Sequence, residues 1–364
     1  MAGSGVRLDD VPGFFSASYE EARATFLEAC ATKEFSVESH RNTTVMGVNG
    51  EGLYTDVVRI GPDDTERLVV IMSGTHGIEG YCGSGCQSAL IHDGAFDDLP
   101  RGTGVVLAHA LNPFGFSYQR RVNESNIDLN RNFVDHAANA YPDSSAYSAI
   151  HDLIAPADYG ERPQEWDAAV LAWIGEHGMD SFRQAVSGGQ YVHPDGLFYG
   201  GTLPSWSNSM FRKLAQTYMQ APAQVRLIDI HTGLGPYGHG EKLGLGDGSA
   251  VRRAQAIWGD DVTDLGSGTS VSAAVSGDTG SAFFTEVPGS VEAAGIGLEF
   301  GTQDPVSVLT ALRFDNWLHL HTDPTGDRAV PIKQLMRDAF YPDDAAWKKT
   351  VFEQTRQAVQ QALS

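Results

Sequence analysis

The stretch LVVIMSGTHGIEGYCG, residues 68–83, joins an apolar run to two side chains that can bind a metal. The run from Leu68 to Met72 passes into small residues, a pattern that predicts a buried strand entering a loop. His76 and Glu79 lie in that loop, and α/β folds place ligand-binding groups at the carboxyl ends of strands. An imidazole and a carboxylate are two of the three protein ligands of a common catalytic zinc site. The stretch therefore predicts most of a metal centre, which needs one further imidazole.

Strands and helices alternate along the rest of the chain. Apolar or alternating runs predict strands over 35–45, 53–60, 103–110, 224–230 and 295–300, with a hairpin turn at Asn49-Gly50 between the first two. Helical spacing is found over 19–32, 81–92, 164–186, 205–219, 250–258, 280–285, 305–319 and 344–362, whereas 264–275 is typical of a loop. We predict a single α/β domain over 1–364, with a mixed, largely parallel twisted sheet flanked by helices and 1–16 as a flexible arm.

Charge and composition exclude several classes of partner. The chain of 364 residues has 25 Lys and Arg against 46 Asp and Glu, a formal net charge of −21. Such an acidic chain is a poor match for nucleic acid or an anionic membrane surface. The 3 cysteines suit a reducing compartment better than a disulfide framework. Because no apolar run is long enough for a signal peptide or a spanning helix, we expect a cytoplasmic protein.

Two later segments supply residues that could complete a metal centre. His231 follows the apolar run QVRLIDI, so it also stands at the end of a predicted strand and could meet His76 at the same sheet edge. The long polar segment 112–135 contains NIDLNRNF, and a long irregular loop inside a compact domain is usually functional. Glu299 lies within the apolar run GIGLEF, where burying a carboxylate is costly unless it is paired. A solvent-facing strand position remains open for Glu299.

Four motifs in this order resemble the zinc carboxypeptidase superfamily. They are GTHGIEG (74–80), NIDLNRNF (126–133), DIHTGLG (229–235) and GLEFGT (297–302). The resemblance is to a bacterial carboxypeptidase-like branch, related to the aspartoacylase and succinylglutamate desuccinylase group. It implies a carboxypeptidase-like fold and one Zn²⁺ ion as cofactor, with His76, Glu79 and His231 as its ligands.

The resemblance also implies roles for three residues of the NIDLNRNF motif. Asp128 matches the carboxylate that orients the first histidine, since metal-bound imidazoles usually donate their second N–H to a carboxylate. Asn130 and Arg131 match the pair that binds a substrate carboxylate. The planar guanidinium of an arginine is suited to that contact because it can form two parallel hydrogen bonds.

A general base and an electrophilic arginine complete the implied set. Glu299 matches the base that takes a proton from water and passes it to the leaving amine. Arg121 is preferred as the arginine that polarises the scissile carbonyl, and its neighbour Arg120 is a close alternative or a further substrate-binding residue.

These assignments predict a zinc-dependent hydrolase that cleaves an amide bond in a carboxylate-bearing peptide or N-acyl amino acid. The digestive carboxypeptidases carry a tyrosine between the second histidine and the base, but there is no tyrosine between Gly240 and Leu298. This difference argues against ordinary trimming of peptide C-termini. The alternatives are an aspartoacylase-like deacylase of small metabolites and a non-catalytic metal- or ligand-binding protein. Side-chain specificity and oligomeric state do not follow from the sequence.

Overall fold

One mixed sheet forms the centre of the protein in the computed structural model, which describes residues 5–139, 141–264 and 275–364. Its strands are β1 (Val37–Asn42), β2 (Leu53–Ile60), β3 (Arg67–Met72), β4 (Thr103–His109), β5 (Gln224–Tyr237), β6 (Gly240–Gly244), β7 (Val262–Asp264) and β8 (Glu292–Gly301). Their order across the sheet is β1-β2-β4-β3-β5-β8-β6-β7. The four central strands, β4, β3, β5 and β8, are mutually parallel. Strand β2 pairs antiparallel with β1 and β4, β6 pairs antiparallel with β8, and β7 pairs parallel with β6. The predicted α/β fold class is confirmed.

Helices cover both faces of this sheet. In the described ranges they are α1 (Tyr19–Thr32), α2 (Gly80–His92), α3 (Pro113–Ser117), α4 (Ser145–Ser148), α5 (His151–Ile154), α6 (Pro163–His177), α7 (Met179–Ser187), α8 (Trp206–Tyr218), α9 (Gly248–Trp258), α10 (Thr279–Glu286), α11 (Pro305–His321), α12 (Ala329–Phe340) and α13 (Ala345–Leu363). None of the helices in this part of the chain is both long and apolar enough to cross a membrane.

The continuous apolar run of β3 reflects burial on both faces of the sheet. Val69 and Ile71 pack into one hydrophobic cluster, which includes residues of α1, α2 and α13. Leu68, Val70 and Met72 pack into a second cluster on the opposite face, with α8 and α10. Successive side chains of a strand point to opposite faces, so a strand covered on both sides is apolar at every position. The central strands are thereby fixed, and the loops that follow them are held in place.

Several predicted elements differ from the structure. The helix expected over 164–186 is broken into α6 and α7 at Gly178, whose φ of +88° is unfavourable for other residues. The strands β6 and β7 and the helix α12 were not predicted. The described part of the expected arm, residues 5–16, packs on the core, where Val11 is fully buried. Most of the loop expected over 264–275 lies outside the described residues.

The carboxyl ends of β3, β5 and β8 lie side by side, and this edge carries most of the candidate residues. Met72, the last residue of β3, pairs with Asp229 of β5. Further along β5, His231 is in register with Glu299 of β8. Residues paired across neighbouring strands project from the same face. Asp229, His231 and Glu299 therefore extend from one face of the sheet, next to the loop that contains His76.

Candidate metal centre

The first two candidate ligands lie in a tight loop between β3 and α2. His76 is 4% exposed and Glu79, which directly precedes α2, is 1% exposed. The amides of the two intervening residues donate to the carbonyl oxygens of Arg121 and Arg120 over 3.2 and 2.8 Å. A Cβ on Gly77 would lie 2.0 Å from the backbone carbonyl carbon of Gly115 in α3, so a glycine is required there. The loop of the first motif is thus fixed by the backbone of the two arginines.

Each candidate histidine has a carboxylate beside both of its ring nitrogens. For His76, Nδ1 lies 2.8 Å from Glu79 Oε1 and Nε2 lies 3.2 Å from Asp128 Oδ1. For His231, Nδ1 lies 2.9 Å from Glu79 Oε2 and Nε2 lies 2.9 Å from Asp229 Oδ2. Donor atoms of His76, Glu79 and His231 all lie within 4.8 Å of one another. Two imidazoles and a carboxylate, with each imidazole supported by a second carboxylate, form a set that fits zinc.

The charged groups at this centre strongly shift one another's pKa values. Burial acts to raise the pKa of Glu79, but His76 and His231 outweigh it and hold that pKa below its usual range. For Asp128, burial is likewise outweighed by Arg121 and His76, and the pKa falls well below the usual range. Burial acts to lower the pKa of His231, but Asp229 and Glu79 raise it well above its usual value. The carboxyl groups of Glu79 and Asp128 are therefore ionised at neutral pH, and an ionised Glu79 is the form that binds a metal.

Asp229 is a functional candidate that the sequence analysis missed. It is 1% exposed, and besides contacting His231 it accepts hydrogen bonds from Thr75 Oγ1 at 2.9 and 3.0 Å and from Thr279 Oγ1 at 2.9 Å. These contacts fix the carboxylate against His231, as Asp128 is fixed against His76. The signal in the sequence was an aspartate two positions before a histidine in an apolar strand, because residues two apart share one face.

Glu299 lies next to His231 and is mostly buried. Its side chain is 9% exposed, and Oε1 accepts a hydrogen bond of 3.0 Å from the Leu234 N–H. Burial, with a further contribution from the Glu79 carboxylate, raises the pKa of Glu299 to about 7. The solvent-facing position that remained open from the sequence is therefore excluded. A carboxyl group with a pKa near neutrality is matched to proton transfer at physiological pH.

Arg121 reaches the centre directly. Its Nε donates to Asp128 Oδ2 over 2.9 Å, and its Nη1 donates to Glu79 Oε1 over 3.3 Å. The ring of Phe198 lies 5.5 Å from the guanidinium carbon. A positive charge is thus held beside the candidate ligand Glu79 and beside Asp128, the carboxylate that contacts His76.

Asn130 and Arg131 lie beside the centre but are engaged within the protein. The side-chain oxygen of Asn130 accepts a hydrogen bond from the Thr279 N–H at 3.0 Å and also lies 3.0 Å from Thr279 Oγ1. Arg131 donates from Nη1 to the carbonyl of Asn130 at 2.9 Å and from Nη2 to that of Ser187 at 2.6 Å. Its Nε is buried without a partner among the described residues, and Phe198 lies 5.6 Å from its guanidinium carbon. Burial, reinforced by Arg121, lowers the pKa of Arg131.

Arg120 lies in a different environment from Arg121. Its Nε donates to Asp315 Oδ2 over 2.9 Å, and its Nη2 donates to Asn126 Oδ1 over 3.0 Å. Asp315 also accepts a hydrogen bond from Lys333, so these residues form a buried ionic cluster. Successive residues of an irregular loop can point in different directions. Here Arg121 contacts the candidate metal centre and Arg120 does not. This placement does not support the substrate-binding role expected for Arg120, and Arg121 remains the candidate for the carbonyl.

One family of known proteins matches almost the whole chain. Residues 15–354 match the family described as Protein of unknown function (DUF2817). The chain belongs to that family. None of the curated proteins compared with the chain matches it.

Solved structures with similar folds include two carboxypeptidases. Carboxypeptidase A from Helicoverpa armigera is 12% identical, with 92% of this chain and 75% of that chain covered and a TM-score of 0.45. A metallo-carboxypeptidase from Pseudomonas aeruginosa is 15% identical, with 94% and 70% covered and a TM-score of 0.40. A Shewanella frigidimarina protein named for the succinylglutamate desuccinylase/aspartoacylase group is 15% identical, with 73% and 64% covered and a TM-score of 0.35.

Proposed function

We propose that this protein is a zinc-dependent hydrolase that cleaves an amide bond in a substrate bearing a free carboxylate. The observation that carries the proposal is the pair of buried histidines, each lying between Glu79 and a second carboxylate, with Glu299 in register beside His231. His76, Glu79 and His231 would hold the ion. When bound there, zinc would acidify a water molecule and polarise the carbonyl of the substrate.

Glu299 is the proposed general base. It is positioned by the Leu234 N–H, and its pKa of about 7 lets it take a proton and release it again near neutral pH. In amide hydrolysis the proton removed from water can be passed to the leaving nitrogen, so one carboxylate can serve both steps. A protein that only bound metal would have no need for such a carboxyl group in this position.

Arg121 and Arg131 are proposed to provide positive charge for the substrate. Arg121 is held at the centre by Asp128 and Glu79, where it can stabilise negative charge that develops on the carbonyl oxygen. Arg131 has one buried nitrogen without a partner in the described structure, and together with Asn130 it is the proposed site for the substrate carboxylate. Phe198 covers both guanidinium groups and can exclude water from them.

The first experiment is a substrate panel tested with zinc-loaded and chelator-treated protein. Short peptides and N-acyl amino acids are compared at matched concentration, each beside an analogue whose carboxylate is an amide. Hydrolysis that requires zinc and the free carboxylate supports the proposal. A preference for N-acyl amino acids would favour the aspartoacylase-like alternative. Zinc-loaded protein that hydrolyses no member of the panel would favour the non-catalytic alternative.

Arg131→Ala tests the carboxylate site, with Arg183→Ala of the exposed face of α7 as the matched control. Hydrogen bonds to charged groups contribute about 1.5–3 kcal/mol. We therefore expect KM for a carboxylate substrate to rise about 10- to 100-fold in Arg131→Ala, while binding of the amide analogue, measured as inhibition, is unchanged. Unchanged KM and kcat for every carboxylate substrate would show that Arg131 has another role.

A further inference from the structure

A second group of metal-binding side chains lies apart from the candidate centre. It consists of His151, the first residue of α5, with His193 and Asp195 from the segment between α7 and α8. One donor atom from each of these residues lies within 4.8 Å of the other two. Neither the sequence motifs nor the proposed hydrolysis uses any of them.

The spacing of two donor atoms in this group suits a shared ion better than a hydrogen-bonded ion pair. His151 Nε2 lies 3.5 Å from Asp195 Oδ2, which is long for a hydrogen bond. Two atoms that both bind a tetrahedral zinc at about 2.1 Å are about 3.4 Å apart. The imidazoles of His151 and His193 are stacked, with ring centroids 3.9 Å apart and an angle of 16° between their planes, so one ring has to turn for both to bind the same ion. Asp195 is 58% exposed at its side chain, so solvent can supply further ligands.

The backbone that carries His193 is held in place by a buried side chain. Gln190 is fully buried, and its Oε1 accepts a hydrogen bond from the His193 N–H at 2.8 Å. Its Nε2 donates to the His193 carbonyl at 2.6 Å. Metal sites are precise when the groups around the ligands are fixed, and this pair of contacts fixes one ligand.

The backbone on either side of Asp195 is fixed in the same way. Asn316 Nδ2 donates to the carbonyl of Asp195 at 2.8 Å. Asn126 Nδ2 donates to the carbonyls of Pro194 and Gly196 at 3.0 and 3.1 Å. The backbone conformation of the segment 190–196 is therefore fixed before any ion binds, although the segment lies at the surface.

The ring nitrogens of this pair have few competing partners. The Nδ1 of His151 is buried and has no hydrogen-bond partner in the described ranges of the chain. His193 Nε2 lies 2.9 Å from Ser148 Oγ, a single neutral hydrogen bond that a metal could replace at small cost.

We propose that His151, His193 and Asp195 form a second site for a divalent transition metal such as zinc. Imidazole and carboxylate donors together favour such ions over magnesium or calcium. An ion there would join α5 to the segment that continues to Phe198, whose ring lies 5.5 and 5.6 Å from the guanidinium carbons of Arg121 and Arg131. The site would therefore brace the segment that covers the two arginines. The proposal does not depend on hydrolytic activity.

The test is the zinc content of the full chain after saturation with zinc chloride and removal of free ion by gel filtration. We expect about two equivalents in the wild type and about one in the double variant His151→Gln/His193→Gln. The matched control is His177→Gln, an exposed histidine at the end of α6, which should keep about two. Circular dichroism spectra establish that each variant is folded.

A variant of the first centre separates the two sites. His76→Gln should retain about one equivalent, and adding His151→Gln/His193→Gln should remove it. The ion bound to His76→Gln should also raise Tm, and this rise should be absent in the combined variant. The proposal is overturned if the His151→Gln/His193→Gln protein binds as much zinc as the wild type. It is also overturned if His76→Gln binds none.

Discussion

Replacement of Glu299 by glutamine tests the proposed base and its environment together. The substitution keeps the shape of the side chain and an oxygen that can accept the 3.0 Å hydrogen bond from Leu234. It removes the negative charge and the ability to carry a proton. In the zinc-loaded enzyme we expect kcat to fall about 10²- to 10⁴-fold, the usual contribution of a positioned general base.

The same substitution has the opposite effect on the stability of the metal-free protein. Burial and Glu79 raise the pKa of Glu299 from 4.5 to about 7 in the folded state. The folded state therefore holds this proton more tightly than the unfolded state, and the free energy of unfolding falls as pH rises from about 4.5 to 7. The full displacement corresponds to about 3 kcal/mol, and most of it develops between pH 5 and pH 8.

The assay is urea unfolding of metal-free wild type and Glu299→Gln at both pH values. The stability of the variant relative to the wild type should increase by about 2–3 kcal/mol between pH 5 and pH 8. Any difference in packing between glutamate and glutamine is present at both pH values and cancels. The control is Glu292→Gln, an exposed position at the start of the same strand, where we expect changes within about 0.5 kcal/mol at both pH values.

Two results would refute this reasoning independently. Equal relative stability of Glu299→Gln at pH 5 and pH 8 would mean that the carboxyl group titrates at an ordinary pKa in the folded protein. Retention of wild-type kcat by the zinc-loaded variant would exclude Glu299 as the base, whatever its pKa. The first result concerns the environment of the residue, and the second concerns its role.

The remaining predictions concern the residues around the centre. Asp229→Asn should weaken zinc binding about 10- to 100-fold, measured by competition with a chromophoric chelator; unchanged affinity would show that Asp229 does not support His231. Arg120→Met should lower the free energy of unfolding in urea by about 3 kcal/mol, because Asp315 loses a buried partner, while KM is unchanged. A large rise in KM in Arg120→Met would indicate that Arg120 contributes to substrate binding. Zinc binding at pH 6 should release protons, seen by calorimetry in buffers of different ionisation enthalpy, and Glu299→Gln should release fewer.

The sequence predicted the central part of the fold because both the strands and their loops carry local signals. The apolar runs that became β3, β4, β5 and β8 are each buried on both faces, and such strands are recognisable without knowledge of their neighbours. The helix break at Gly178 and the strand β7 were missed for the opposite reason. A single glycine in a helical pattern is often tolerated, and a strand of three residues, Val262–Asp264, has almost no period to detect.

Site residues could be predicted where they lie together in one sequence motif. They were harder to predict where only the tertiary structure brings a residue to its partner. His76 and Glu79 are three positions apart in one loop, so their proximity is local. Asp229 acquires its role only when β5 lies between β3 and β8. Arg120 and Arg121 are adjacent and chemically identical, and which of them reaches the centre depends on the buried Asp315 contributed by α11.

The charge balance at the centre gives a physical reason why a cation belongs there. Glu79, Asp128, Asp229 and Glu299 are four buried carboxyl groups at one edge of the sheet, with Arg121 as a permanently charged partner. The protein alone reduces the excess of negative charge by binding protons, because Asp229 and Glu79 raise the pKa of His231, and burial and Glu79 raise that of Glu299. A divalent cation would replace those protons, leaving a neutral imidazole to bind it and an ionised Glu299 to act as a base. Metal binding and activation of the base would then be the same electrostatic event.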